Sequence, residues 1–102
     1  YPEIQTLIDT QEPIYVWGTG SLTQRLFTMS NLHKCNIIAY VDNNKDKVGR
    51  MFGNKHIIEP GELRDTKERI LILSVYDSLA IKQQILDMCL ENKYITIDKL
   101  VI

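Results

Sequence analysis

Two glycines interrupt an apolar run near the amino terminus and supply the clearest chemical signal in the sequence. Residues 14–17 read IYVW, a β-favouring stretch, and the turn Gly18-Thr19-Gly20 follows before a helix-like stretch begins. Glycine lacks Cβ and adopts positive φ without strain, so backbone can approach a ligand closely. A helix starting after such a turn presents unpaired N–H groups and the positive end of its dipole. The pattern predicts a phosphate cradle at Gly18, Thr19, Gly20, Ser21 and Leu22.

An acidic residue follows the next apolar run at a spacing typical of nucleotide sites. The run NIIAYV, residues 36–41, suits a strand covered on both faces, and Asp42 comes directly after it. Asp42 lies 22 residues after Gly20, where an acidic side chain can accept hydrogen bonds from a ribose hydroxyl. The alternative is that the two glycines only turn the chain and that Asp42 caps a solvated loop.

The glycine pattern departs from both common nucleotide fingerprints. The dinucleotide fingerprint, GxGxxG or GxGxxA, requires a small third residue for close packing of helix on strand, and this sequence has Thr23 there. We expect Thr23 to push the helix slightly outward. The GxGxG pattern of S-adenosylmethionine enzymes fails at Leu22.

Strands and helices alternate around these residues. Apolar spacing predicts helices over residues 2–10, from Ser21 to about Asn31, and from Asp77 or Ser78 to Asn92. Strands are predicted at 14–17, 36–41, 56–58, 70–75 and 94–97, with a loop at 45–54 and one helical turn in EPGEL, residues 59–63. This order indicates right-handed βαβ units. We predict an α/β, three-layer Rossmann-like fold with a mainly parallel sheet of about four to five strands and helices on both faces, as a single domain over residues 1–102.

The last predicted helix and the loop before it supply further candidates. If strand 14–17 neighbours strand 70–75, the loops WGTGS and SVYDS face one crevice at the point where strand order reverses. Ser74 and Tyr76 would then line that crevice, while Asp77 either lines it or caps the helix. The buried face of the helix is expected to consist of Leu79, Ile85, Leu86, Cys89 and Leu90. The apolar tail KLVI, residues 99–102, is expected to pack against another domain or a second copy.

Composition restricts the partners. The 12 basic and 13 acidic side chains are well mixed and give a net charge of −1, so we predict that nucleic acid is not a partner. No apolar run approaches the roughly 20 residues that cross a bilayer, which predicts no membrane contact. The two cysteines form no metal-spaced pattern and indicate a reduced, cytoplasmic setting. The first residue is Tyr1 rather than Met, which suggests a fragment of a larger protein.

Several short motifs together resemble a family of small Rossmann-like domains. They are WGTGS at 17–21, VDNN at 41–44, GRMFGNK at 49–55 and EPGEL at 59–63. Such domains occur in nucleotide-sugar-processing enzymes and as the carboxyl-terminal domain of certain sugar methyltransferases, and related modules are labelled CoA-binding or sugar O-acyltransferase amino-terminal domains. The resemblance implies that Gly18, Gly20 and Ser21 meet a phosphate, and that Asp42 and Asn43 face a ribose or sugar hydroxyl.

The sequence therefore predicts a nucleotide- or nucleotide-sugar-binding domain, an accessory part of a carbohydrate-modifying enzyme such as a sugar methyltransferase. Candidate cofactors are NAD(P), a nucleotide sugar and S-adenosylmethionine. Expected partners are a nucleotide ligand, the parent protein's catalytic domain and, as an open alternative, a second copy. No complete catalytic site, no catalytic residue and no metal spacing is visible, and the parent could be a transferase or an oxidoreductase. Two alternatives stay open: a fragment of an NAD-dependent sugar epimerase or dehydrogenase, and a structural or interaction domain that has lost its ligand.

Overall fold

A computed structural model of the chain describes residues 1–98. Three α-helices occur in this range, α1 (Pro2–Thr10), α2 (Ser21–Met29) and α3 (Ser78–Asp87). The strands are β1 (Ile14–Trp17), β2 (Ile37–Val41), β3 (Met51–Phe52), β4 (Lys55–Ile58), β5 (Arg69–Leu73) and β6 (Tyr94–Ile97). Two 3₁₀ turns cover Leu32–Lys34 and Pro60–Leu63. The KLVI tail lies outside the described residues, and no helix within them is long and apolar enough to cross a membrane.

The strands of residues 1–98 form one sheet in the order β3-β4-β2-β1-β5-β6. β1 lies between β2 and β5 and pairs with both in parallel, β2 pairs with β4 and β5 with β6 in the same sense, and only the pairing of β3 with β4 is antiparallel. The chain is thus an α/β protein with a mostly parallel sheet, and β1 neighbours β5, the condition under which the two loops were expected to face one crevice. The prediction of four to five strands is wrong, because the described residues contain six.

The additional strand, β3, lies inside the segment predicted as a loop. Met51 pairs with His56 and Phe52 with Lys55 in a hairpin whose two-residue turn is Gly53-Asn54. Both turn residues have positive φ, 49° and 69°, which matches the right-handed twist of paired strands. A strand of two residues is too short to produce an alternating pattern, so the turn residues carried the only sequence signal.

The sheet has an apolar cluster on each face. Ile14 and Val16 of β1 belong to the cluster that contains Leu7 of α1 and Leu26 of α2. Tyr15 and Trp17, which point to the opposite face because side chains alternate along a strand, join Ile81 and Ile85 of α3 in the second cluster. Helices therefore cover both faces of the sheet at β1.

The expected buried face of α3 is wrong at most positions. Leu79 and Leu86 are 78% and 67% exposed, and Cys89 lies beyond the helix and is exposed. Ile85 is buried as expected and Leu90 packs against the same cluster, while Ile81, four positions before Ile85 on the same helical face, is a buried residue that was not expected. Several apolar positions offered alternative helical faces, and spacing alone did not decide between them. The helix also ends at Asp87, five residues before the predicted Asn92.

At the amino ends of the central strands, an ion pair joins the segment before β1 to the start of β5. The Arg69 guanidinium donates two hydrogen bonds to the Glu12 carboxylate, one of them from Nε to Oε2 at 3.1 Å. The hydrogen bond from Arg69 holds the pKa of Glu12 below its ordinary value, against a smaller opposing effect of burial. The pair fixes the relative position of β1 and β5 at the ends of these strands that lie away from the glycine turn.

Glu12→Gln should lower the free energy of unfolding at neutral pH by about 0.5 kcal/mol, since both side chains are about a third exposed. A carboxyl whose pKa is lowered by folding stabilises the protein above its unfolded pKa, and this contribution is lost as pH falls through the folded pKa. The native protein should therefore lose urea stability below pH 4.5 more steeply than the variant. Glu91→Gln, at an exposed carboxylate, is the control; identical pH slopes for native protein and Glu12→Gln would contradict the assignment.

Candidate functional site

The carboxyl ends of β1, β2 and β5 open into one cleft. The strands end at Trp17, Val41 and Leu73. Trp17 pairs with Val41 of β2 and with Ile72, the residue before Leu73, of β5, and β1 is where the strand order reverses. The cleft has a volume of about 460 Å³, within the range of small-molecule sites. Open α/β sheets bind ligands at this position. All nine candidate residues line the cleft: Gly18, Thr19, Gly20, Ser21, Leu22, Asp42, Asn43, Ser74 and Tyr76.

Gly18 makes the turn that connects β1 to the cleft. Its φ is +118°, and a Cβ at this position would stand 2.2 Å from the carbonyl oxygen of Leu73. The Gly18 N–H donates to the carbonyl of Val41 at 2.8 Å. A side chain is therefore excluded by both backbone geometry and contact, and the residue holds the ends of three strands together.

Thr23 closes the turn from the helix side. The side chain is fully buried, and its hydroxyl donates to the Gly18 carbonyl at 2.7 Å. The larger residue at this fingerprint position is thus accommodated by a hydrogen bond that ties the first turn of α2 to the glycine turn. Since the buried hydroxyl is paired, it costs little desolvation energy.

Gly20 precedes the helix and faces open space. It is the N-cap of α2 with φ −85° and ψ −160°, and a Cβ built on it meets no atom within 4 Å. No side chain caps α2, so its first N–H groups are available at the cleft. These groups and the helix dipole favour an anion beside Gly20 and Ser21.

Asp42 holds the glycine turn from the β2 side. Its Oδ2 accepts hydrogen bonds from the Thr19 hydroxyl at 2.6 Å and the Thr19 N–H at 3.2 Å. Its Oδ1 accepts the N–H of Asn44 at 2.8 Å. The carboxylate is therefore a structural acceptor first, and Oδ1 keeps a lone pair for a further donor. Its role toward a ribose hydroxyl stays a prediction.

Lys47 is a cleft residue that sequence reasoning missed. Its ammonium lies 3.9 Å from Asp42 Oδ2, and its side chain is 38% exposed. The residue lines the same cleft as Gly20 and Ser21, so it adds a cation to the wall of the cleft into which the first N–H groups of α2 open. Its position in a charged loop gave no signal, because four residues separate Lys47 from Asp42 and this spacing matches no known motif.

Asn43 contacts helix α3 rather than the glycine turn. Its side-chain amide forms two hydrogen bonds with that of Gln84, each of 2.9 Å and running in opposite directions. The two residues are 41 positions apart, and nothing local in the sequence indicates the pair. The Asn43 side chain is therefore engaged with the protein, and its expected contact with a sugar hydroxyl stays a prediction.

The loop after β5 forms the remaining wall. The Ser74 hydroxyl accepts the N–H of Asp77 at 2.9 Å, and Asp77 occupies the N-cap position of α3 without a side-chain capping bond. Tyr76 is 93% exposed and stands at the rim. Ser74 and Asp77 thus shape the wall, while Tyr76 is free to cover a ligand.

No catalytic group emerges from the described residues. Within residues 1–98, no cluster of His, Cys, Asp and Glu could hold a metal ion. Burial raises the pKa of the Cys35 thiol to about 11, so this cysteine is protonated at neutral pH and unsuited to nucleophilic chemistry. The arrangement is suited to binding an anionic ligand.

The two glycines of the turn should respond differently to the same substitution. Gly18→Ala should lower the free energy of unfolding by about 3 kcal/mol, because the new Cβ meets the Leu73 carbonyl in a strained backbone conformation. Gly20→Ala should change it by less than about 1 kcal/mol, since the residue has ordinary dihedrals and open space. Urea denaturation of both variants measures the difference; similar losses would show that Gly18 is not the constrained position.

The fold is similar to that of a solved protein described as RSP, a Rex-family repressor. The TM-score is 0.57 at 12% sequence identity, and the match covers 93% of this chain and 50% of that chain. At this identity the likeness concerns the fold alone, and the chain spans half the length of the repressor. The sequence itself has no significant match among curated proteins.

This similarity corrects one prediction from composition. The exclusion of nucleic acid as a partner is wrong, because a repressor uses the same fold over nearly all of this chain. The exclusion rested on a net charge of −1, and a charge averaged over one domain describes neither its local field nor the partners of a longer protein.

A family model described as C2185-like, N-terminal, matches residues 10–96. The matched segment contains all six strands almost entirely, both loops that carry the glycine turn and Asp42, and helix α3. It therefore includes the complete cleft. The chain belongs to the C2185-like N-terminal domain family.

Proposed function

We propose that this chain is a Rossmann-like nucleotide-binding domain, three layers thick, whose cleft holds the phosphate of a nucleotide or nucleotide sugar. The observation that carries the proposal is the uncapped amino end of α2, where Gly20 leaves open space above free N–H groups. A phosphate placed there accepts backbone hydrogen bonds and meets the positive end of the helix dipole.

Lys47 supports the same assignment. Its ammonium lies on the cleft wall beside the glycine turn, and its present contact with Asp42, at 3.9 Å, is long for an ion pair. A doubly charged phosphate is a stronger partner for an ammonium than a carboxylate that already accepts three hydrogen bonds. The lysine would move toward the ligand and leave the Thr19–Asp42 contacts in place.

The rest of the ligand extends from the phosphate toward β2. The free lone pair of Asp42 Oδ1 suits a ribose or sugar hydroxyl, as the residue's place after β2 indicates. The resemblance of WGTGS, VDNN and EPGEL to domains of sugar-modifying enzymes favours nucleotide sugars, ahead of NAD(P) and S-adenosylmethionine. On that basis the domain is an accessory module that binds ligand for a catalytic unit elsewhere.

The first test is a thermal-shift panel with pyrophosphate, NAD, NADP, UDP- and TDP-sugars, CoA and S-adenosylmethionine. A ligand present at 100 times its dissociation constant should stabilise the native state by about 2.7 kcal/mol, a shift of several degrees for a domain of this size. Phosphate-bearing ligands should shift the midpoint and S-adenosylmethionine should not. If no ligand shifts the midpoint of thermal unfolding, the proposal is contradicted. The alternative is then a domain that keeps the fold for contact with another domain.

Two substitutions locate the phosphate. Gly20→Val should weaken the best ligand at least tenfold, because its branched side chain fills the space above the α2 N–H groups while the fold tolerates a Cβ there. Lys47→Gln should weaken it about tenfold, the value of one charge-assisted hydrogen bond. Lys55→Gln, on the exposed hairpin away from the cleft, is the matched control. Equal affinities in calorimetry for Lys47→Gln and Lys55→Gln would remove Lys47 from the site.

A further inference from the structure

A second, smaller cavity adjoins the cleft. It has a volume of about 250 Å³ and shares two wall residues with the cleft, Asp42 and Asn43. Helix α3 borders both spaces: Ala80 and Ile81 line the cleft, and Gln84, one turn later, lines the smaller cavity. The two cavities therefore meet where the β2 loop faces α3.

The amide pair of Asn43 and Gln84 stands at this junction. Each side chain donates one hydrogen bond to the other and accepts one, both of 2.9 Å. The pair bridges the loop after β2 and helix α3, with Asn43 lining both spaces and Gln84 lining the smaller one. Because both contacts are exposed, the amides can exchange them for other partners with little loss.

The smaller cavity fits a flat, partly apolar group. Val48, Pro60 and Met88 form the apolar part of its wall, and the charged residues Lys45 and Glu59 also line it. Gln84 also donates to the Met88 sulfur at 3.8 Å, which orients its amide along this wall. A planar ring lying against these side chains would present its edge to the two amides.

We propose that the Asn43–Gln84 pair opens to admit the base of the nucleotide and that the freed amides read the base edge. A side-chain amide carries a donor beside an acceptor, as do the hydrogen-bonding edges of adenine and uracil, and Asn or Gln pairs with such an edge through two bonds. The base thus replaces one amide as the partner of the other. This inference rests on the proposed function, with the phosphate in the cleft and the base in the smaller cavity.

The pairing provides selectivity rather than tight binding. A base with a donor beside an acceptor replaces the hydrogen bonds that are broken, so opening costs little. A base edge that has lost its donor leaves an amide group unpaired, and the closed pair excludes it. Gln84 and Asn43 are therefore specificity-determining residues for the base, while Gly20 and Lys47 serve the phosphate.

The test measures the affinities of ADP, UDP, an ADP analogue with two methyl groups on the exocyclic amine, a UDP analogue methylated at the ring N–H, and pyrophosphate, so that each analogue has lost the donor of its base edge. For whichever nucleotide binds more tightly, methylation should weaken binding to the native protein about tenfold. Gln84→Ala and Asn43→Ala each remove the amide pair between the two cavities. In these variants the ratio of the affinities for the unmethylated and the methylated nucleotide should fall below about twofold. Gln83→Ala, at the neighbouring residue that pairs with Asp87, should keep the native ratio. Pyrophosphate should bind all four proteins equally.

The outcomes separate this inference from the proposed function. If pyrophosphate binds but neither nucleotide binds more tightly than pyrophosphate, the cleft holds phosphate and the base-reading role is wrong. The same conclusion follows if Gln84→Ala and Asn43→Ala keep the native discrimination. If neither nucleotide nor pyrophosphate binds, both proposals fail. Thermal midpoints of the variants within a few degrees of the native protein establish that loss of discrimination is not loss of fold.

Discussion

The contact of Gly18 with its surroundings is the constraint on which the rest of the site depends. Its N–H is bonded to the end of β2, its Cα lies against the last carbonyl of β5, and its own carbonyl accepts the Thr23 hydroxyl. These contacts set the distance between three strand ends and the angle at which α2 leaves the sheet. Any residue with a Cβ would separate β1 from β5, and the cleft would change shape before a ligand was involved.

The polar groups of the cleft are organised by the protein itself. Asp42 holds Thr19, and Asn43 holds Gln84, so the loop after β2 is attached to the glycine turn on one side and to α3 on the other. The contact of Asp42 with Thr19 is formed before a ligand arrives, and such preorganisation reduces the entropy lost on binding. It also means that removal of Asp42 would disturb the turn and any ligand contact together, so loss of binding in that variant cannot be assigned to a missing sugar contact.

Local patterns predicted most of the helices and strands, but neither the two-residue β3 nor the contacts between elements. Alternating strand and helix signals gave the parallel sheet and the place of the cleft, because β1 and the turn after it follow from IYVW and two glycines. Helix α3 had apolar residues on more than one face, and only the sheet selects Ile81 and Ile85 over Leu79 and Leu86. Lys47 and Gln84 reach the site through the three-dimensional path of loop and helix, which no spacing rule describes.

The short antiparallel β3 has a consequence for how the sheet can grow. An edge strand of two residues offers few unpaired backbone groups, and the hairpin turn of Gly53 packs against Phe27 of α2. Edges of this kind resist the addition of a further strand. Among the described strands, β6 forms the opposite edge, with four residues in parallel register on β5. Within residues 1–98, the edge that leaves more backbone groups open to a further strand is therefore that of β6, on the side of β1 away from Asp42 and Asn43.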